Sequence, residues 1–113
     1  MNNNTIYDKE KSIKLAGGRE NIANELIEML ICELPKLEAE IKSALEGQNM
    51  IQLKASLHKL KGSISYCIVP RLSQSINVFH DAVTNNEKIN HLDLFNQLND
   101  EIRRLEQFYK KQN

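Results

Sequence analysis

Few side chains in this 113-residue sequence offer chemistry, and they gather on one stretch, SLHKLKGSISYC, from Ser56 to Cys67. On a helix each residue turns the chain by about 100°. His58 then shares its face with Lys54 at i−4, Lys61 at i+3, Gly62 at i+4 and Ser65 at i+7, with Ala55 beside them. Lys59 lies further round. The ring is set among cations and very small residues. A glycine within a helix costs roughly 1 kcal/mol relative to alanine, so Gly62 needs a reason. Either a neighbouring helix packs tightly against it, or the missing side chain lets another protein's surface approach the imidazole. Both readings are open from position alone.

Charge narrows the chemistry. From Gly47 through His80 there is no Asp or Glu, while Lys54, Lys59, Lys61 and Arg71 fall inside the window, giving +4 − 0 = +4. The formal net charge of the chain is zero, so the remainder carries −4. A bland solvated helix mixes both signs; chance clustering on an exposed face is the dull alternative. Metal binding does not fit, because no His, Cys, Asp or Glu stands at i+3 or i+4 from His58. General-base work wants an orienting carboxylate, and none is near in sequence. Nucleophilic attack on a phosphoryl group fits better. Lysines around a histidine disfavour its protonated form, so a neutral, nucleophilic ring is expected near pH 7. A phosphoryl group on that ring brings roughly two negative charges, which Lys61 and Lys54 could meet. The same basic surface, with Ala55, Lys59, Ser65 and Arg71 as further contacts, would draw an acidic partner.

The remaining candidates read as structure. His80, beside Phe79, is expected at a surface or edge, and His91, near a helix start, in solvent. Met29 and Met50 are expected to pack. Cys32 and Cys67 have neither zinc-site spacing nor the number for a disulfide framework, so reduced, half-buried thiols are expected. Zero net charge argues against a nucleic-acid partner. No apolar run reaches the roughly 18 residues needed to span a bilayer, and the start MNNNTIYDKEK lacks the apolar core of a signal peptide. A monomeric cytoplasmic domain without direct membrane contact is expected, which leaves open that it is one piece of a membrane-anchored chain.

The elements that must position these residues are helical. Hydrophobic content of 41% and charged content of 27% suit one globular domain over residues 1–113, with 1–6 and 110–113 expected to be loose. A short first helix, Tyr7 to Ala16, starts with Asp8 as N-cap and stops at Gly17-Gly18. It should pack as an end-cap. The second runs from about Arg19 to Glu46 on the stripe Leu26, Leu30, Leu34, Leu37, Ile41 and Leu45, and ends at Gly47. Pro35 inside it predicts a kink or two abutting helices. The third starts after Asn49, uses Leu53, Leu57, Leu60 and Ile64, and reaches about Cys67. Pro70 opens the fourth, with Leu72, Ile76, Phe79 and Val83 inward. The fifth runs from about His91 to Tyr109 on the stripe Phe95, Leu98, Ile102, Leu105 and Tyr109. Long amphipathic helices with short connections predict an all-α, antiparallel up-down four-helix bundle with a short additional N-terminal helix.

The hexapeptide HKLKGS, His58 to Ser63, resembles the signature of histidine-containing phosphotransfer (HPt) domains: an active histidine, a lysine three residues on, then a glycine. KLAGGRENIANELIEMLICELPKLEAEI resembles the first two helices of that family, and VPRLSQ its segment after the active helix. The likeness covers nearly the whole chain and is strongest to the C-terminal HPt module of BarA-type tripartite hybrid sensor kinases. It implies a phosphorelay intermediate in two-component signalling. His58 would accept a phosphoryl group through Nε2 from a receiver-domain aspartate and pass it to a response regulator's aspartate. Lys61 would support the group and Gly62 would give access. The resemblance implies no ATP site and no cofactor on the chain, the magnesium ion belonging to the partner receiver. An HPt-like module that binds a receiver without carrying phosphate is the alternative, and a helical adaptor for some other acidic protein a third. One departure stands out: many members carry a second glycine where this chain has Ile68, which leaves the path from Tyr66 to Pro70 open.

Overall fold

The computed structural model describes residues 5–87 and 90–112. The described residues form five α-helices: α1 (Lys9–Leu15), α2 (Glu20–Glu46), α3 (Met50–Ser63), α4 (Pro70–Thr84) and α5 (His91–Gln112). A single 3-10 turn, Ile64–Tyr66, extends α3. Helices α2 to α5 make an up-down bundle in which α2 packs on α3, α3 on α4, α4 on α5, and α5 closes back on α2. At ~1.5 Å per residue, the 27 residues of α2 account for the 41 Å long axis of the domain.

The ends of the helices follow from local chemistry. Asp8 and Asn49 cap α1 and α3 by accepting from the backbone N–H of Lys11 and Gln52, each at 3.0 Å. Pro70 sits in the first turn of α4, where its missing N–H is harmless. Three helices end in the same double-bonded motif. After α1, Gly18 N–H donates to Ile13 C=O and Gly17 N–H to Lys14 C=O, with Gly17 left-handed at φ 74°. Helix α2 stops with Gly47 as its C-cap, as expected, and the left-handed residue is the next one, Gln48 (φ 54°); after α4 it is Asn86 (φ 53°). Helix α2 runs unbroken through Pro35, which is exposed; two abutting helices do not form.

The stripes expected on α3 and α4 are buried at every position. On α2 the expected stripe is right in the middle and displaced at both ends. Leu30, Leu34, Leu37 and Ile41 are buried, but Ala23, Ile27 and Ala44 take the inward positions while Leu26 and Leu45 sit at the edge. The cause is the spacing: the buried positions alternate steps of four and three from Ala23 to Ala44, whereas the expected stripe takes two successive steps of four at each end and so turns off the inward line. Tyr109 is likewise half-buried on α5.

Helix α1 does pack as an end-cap, and its bonds settle the path after α3. Asp8 N–H donates to Ile68 C=O at 2.9 Å, and Ile68 N–H donates to Oγ of the buried Ser12 at 3.0 Å. Ile68 therefore lies against α1 through both of its backbone groups. Of the ends expected to be loose, 1–4 and 113 lie outside the described residues. Thr5 C=O accepts from Arg71 N–H at 3.3 Å, Ile6 packs against the core, and α5 stays helical through Gln112.

Candidate functional site

His58 emerges on the exposed ridge of α3, one residue from Leu57, which is fully buried. Leu53, Leu57 and Leu60 hold the helix down, and this fixes which side chains can reach solvent. Lys54, Ala55, Lys61, Gly62 and Ser65 are all exposed around His58. Counting ~100° per residue from His58, Ala55 and Gly62 fall on one flank at about +60° and +40°, and Lys54 and Lys61 on the other at about −40° and −60°. The flanks face different neighbours. On the positive flank, Lys59 pairs with Glu40 of α2 at 3.4 Å, and Ser63 Oγ donates to Glu33 of α2 at 3.5 Å. The negative flank faces α4.

Across that flank stands His80 of α4. Its ring centroid is 6.1 Å from that of His58, and the two planes are tilted by 39°. His80 is half-buried, as its expected edge position implies. Its pKa is pushed below the usual histidine value, first by burial and then by Lys61, His58 and Lys54, against the opposing pull of Asp81. Lys54 and Lys61 therefore act on the space between the two rings.

The missing side chain at Gly62 opens outward. A Cβ placed there meets no heavy atom within 4 Å, so tight packing by a neighbouring helix is not its reason. Its carbonyl accepts from Ser65 Oγ at 2.6 Å, which ties Ser65 to the backbone where α3 passes into the 3-10 turn.

The structure does not gather every residue expected at the site. Lys59 turns to α2 and spends its charge on Glu40. Arg71 donates twice to Glu101 of α5, both bonds at 2.8 Å, and this partner holds the Glu101 carboxyl below its usual range. Arg71 is nine residues before His80, which on a helix is about 180° round and 13 Å along; it belongs to the α4–α5 face. Nor are the thiols alike: Cys32 is exposed, while Cys67 is buried and its pKa is pushed up to about 11 by burial. His91 is not simply solvated. Its Nε2 is buried without a partner among the described residues, and its ring lies 6.1 Å from Phe79.

His80 was invisible to a reading along one helix. A signal existed in the hairpin: α3 and α4 run antiparallel about Val69, and His58 and His80 are each eleven residues from it. Residues equidistant from such a turn meet across it.

His58 is exposed. Clefts of about 320 Å³ and 280 Å³ lie elsewhere, the first among Tyr7, Ile27, Leu105 and Phe108, the second between α4 and α5 around Arg71 and Glu101. Among the described residues, no three of His, Cys, Asp and Glu gather to hold a metal ion, and no helix is long and apolar enough to cross a membrane. An exposed imidazole on the outer face of α3, flanked by two lysines that have no acidic partner among the described residues, can meet a group presented by another macromolecule.

Comparison with known proteins gives a consistent result. The profile of the Hpt domain family matches residues 25–108. The chain is 32% identical over 72 residues to the signal transduction histidine-protein kinase BarA of Shigella flexneri, an alignment covering 64% of this chain and 8% of that protein. It is 31% identical over 67 residues to the sensor protein GacS of Pseudomonas syringae pv. syringae, covering 59% and 7%. The chain thus spans less than a tenth of the length of these curated relatives. Among solved structures, the HPT domain of a sensor hybrid histidine kinase from Shewanella superposes with a TM-score of 0.82 at 24% identity, covering 94% of this chain and 92% of the other. Histidine-containing phosphotransfer protein B of Pseudomonas aeruginosa PAO1 superposes with a TM-score of 0.81 at 16% identity, covering 95% and 93%. These two likenesses are of fold.

Proposed function

The chain belongs to the Hpt domain family of two-component phosphorelays, and from that premise we propose that His58 is the residue that carries the phosphoryl group between receiver domains. The Nε2 lone pair attacks the phosphorus of an aspartyl phosphate on a receiver. The P–N bond forms as the P–O bond breaks, and the aspartate leaves as a carboxylate. The onward step is the reverse, to the aspartate of a response regulator. The receiver brings the magnesium ion; no cofactor is assigned to this chain.

The observation that carries the reading is the two-sided flank of His58. Small residues, Ala55 and Gly62, leave one side low, and a Cβ at Gly62 would meet open space. Lys54 and Lys61, unpaired among the described residues, line the other. A receiver can approach over the low side while the transferred group comes to rest against the cations. The partners on this reading are the receiver of a hybrid sensor kinase and that of a response regulator. The domain would act as a monomer on the cytoplasmic side of the membrane, alone or within a kinase chain.

The test is transfer from a phosphorylated receiver to the full chain. An acid-labile, base-stable phosphate on the wild type that is absent from His58→Gln supports the proposal. Tight binding of the receiver without transfer would refute it in favour of an interaction module.

A further inference from the structure

We infer that His80 is a second phosphoryl-binding residue: its ring donates a hydrogen bond to a phosphoryl oxygen on His58 and takes up a proton as that group arrives. The inference rests on His58 being the acceptor and adds to it a residue on a different helix.

Geometry is the first support. The ring centres are 6.1 Å apart and the planes inclined at 39°. The rings are tilted rather than stacked, and a centroid separation of 6.1 Å puts His80 within hydrogen-bonding reach of a phosphoryl group carried on the edge of His58. His80 lies on the flank of His58 that also carries Lys54 and Lys61. His80 is half-buried on α4, a helix held down by the fully buried Ile76 and Phe79 and the buried Val83.

Electrostatics is the second. The charged groups acting on His80 are Lys54, His58 and Lys61 from α3 and Asp81 from its own helix. From α5, packed on the other side of α4, the nearby titratable ring is His91, which lies against Phe79. With His58 unmodified, burial and the lysines favour the neutral His80 ring. A phosphoryl group adds roughly two negative charges within a few ångströms and reverses the sign of the local field. The phosphorylated chain then binds more protons than the free chain over the interval between the two His80 midpoints. Lower pH in that interval favours the phosphorylated state. At this separation, in a solvent-screened site, the midpoint should rise by about one pH unit.

The full chain, labelled at histidine, is titrated by NMR before and after treatment with potassium phosphoramidate. That small donor transfers its phosphoryl to Nε2 with loss of ammonia and needs no cognate receiver. The expected result is an upward move of the His80 midpoint on phosphorylation. His80→Ala should shorten the phosphohistidine lifetime several-fold at neutral pH. His80→Gln, which keeps an N–H donor but cannot titrate, should recover most of that lifetime and lose only the part of its pH dependence that follows the His80 midpoint, the acid lability of the P–N bond itself remaining. A His80 midpoint unmoved by phosphorylation of His58, or a wild-type lifetime in His80→Ala, overturns the inference and leaves the acceptor role intact. A wild type that takes no phosphoryl, or a His58→Gln chain that takes it equally, removes the acceptor role and the inference with it.

Discussion

Gly62→Gln should make the domain more stable and a worse phosphoryl carrier. Gly62 has ordinary helical backbone, is exposed, and has open space where a Cβ would stand. A side chain there costs the fold nothing. The gain is the helix-propensity difference, up to about 1 kcal/mol in a helix interior. Gly62 is the penultimate residue of α3, so about half of that is realistic, or ~2 °C in melting temperature for a domain of this size. Transfer moves the other way. Side chains on a helix lean toward its N-terminus and over the residue four positions earlier, and four earlier is His58. Pinning a glutamine aside costs up to about 1.5 kcal/mol of rotamer freedom, which corresponds to roughly tenfold in rate. Thermal melts and receiver-to-domain transfer on the same preparations decide it, with Gly62→Ala as the control that gains stability with a smaller loss of transfer. Undiminished transfer by Gly62→Gln would refute the access argument. Destabilisation by Gly62→Ala would show that the glycine serves packing after all.

Lys61→Ala should lower transfer clearly, whereas Lys59→Ala should leave it within about twofold. Lys59 is spent on Glu40 in an exposed pair, and such a pair is worth at most about 1 kcal/mol. Initial transfer rates and melts separate the two effects. Glu101, whose carboxyl is held low by Arg71, stabilises the fold at neutral pH. That contribution is complete above the ordinary Glu value of 4.5 and is lost as pH falls through the depressed folded value. Denaturant midpoints followed on acidification should decline less steeply for Glu101→Gln, and transfer by that variant should be normal. A thiol reagent at pH 8 should label Cys32 in the native chain and Cys67 only on unfolding, since Cys67 is buried with its pKa pushed to about 11; mass mapping of the labelled peptide checks this.

The helices were legible because each long one carries a single apolar line and a local stop. The Leu53-Leu57-Leu60-Ile64 line fixed the orientation of α3, and with it the exposure of His58, before any coordinates. What escaped depended on a second helix. Cys67 is buried rather than half-buried because α1 folds over the segment it lies in. The glycine expected near position 68 is unnecessary, since Ile68 meets α1 through its backbone groups.

Charge is where a linear window misleads most. Four cations without an acid between Gly47 and His80 suggest a surplus of +4 at the histidine. Folding assigns two of them to acids that the window cannot see: Lys59 to Glu40 on α2 and Arg71 to Glu101 on α5. These pairs join α3 to α2 and α4 to α5, so they sit at helix seams, not at the site. The surplus left beside His58 is Lys54 and Lys61, and it is directional. Both lie on the α4 side, with His80 beyond them, while the α2 side carries Ala55, Gly62 and the carboxylates of Glu33 and Glu40. A docking surface that crosses α2 to reach His58 therefore meets acid first and cation last. On the proposed acceptor role, that ordering would let a neutral domain hold a phosphoryl group on one flank of the ring without drawing polyanions over its whole surface.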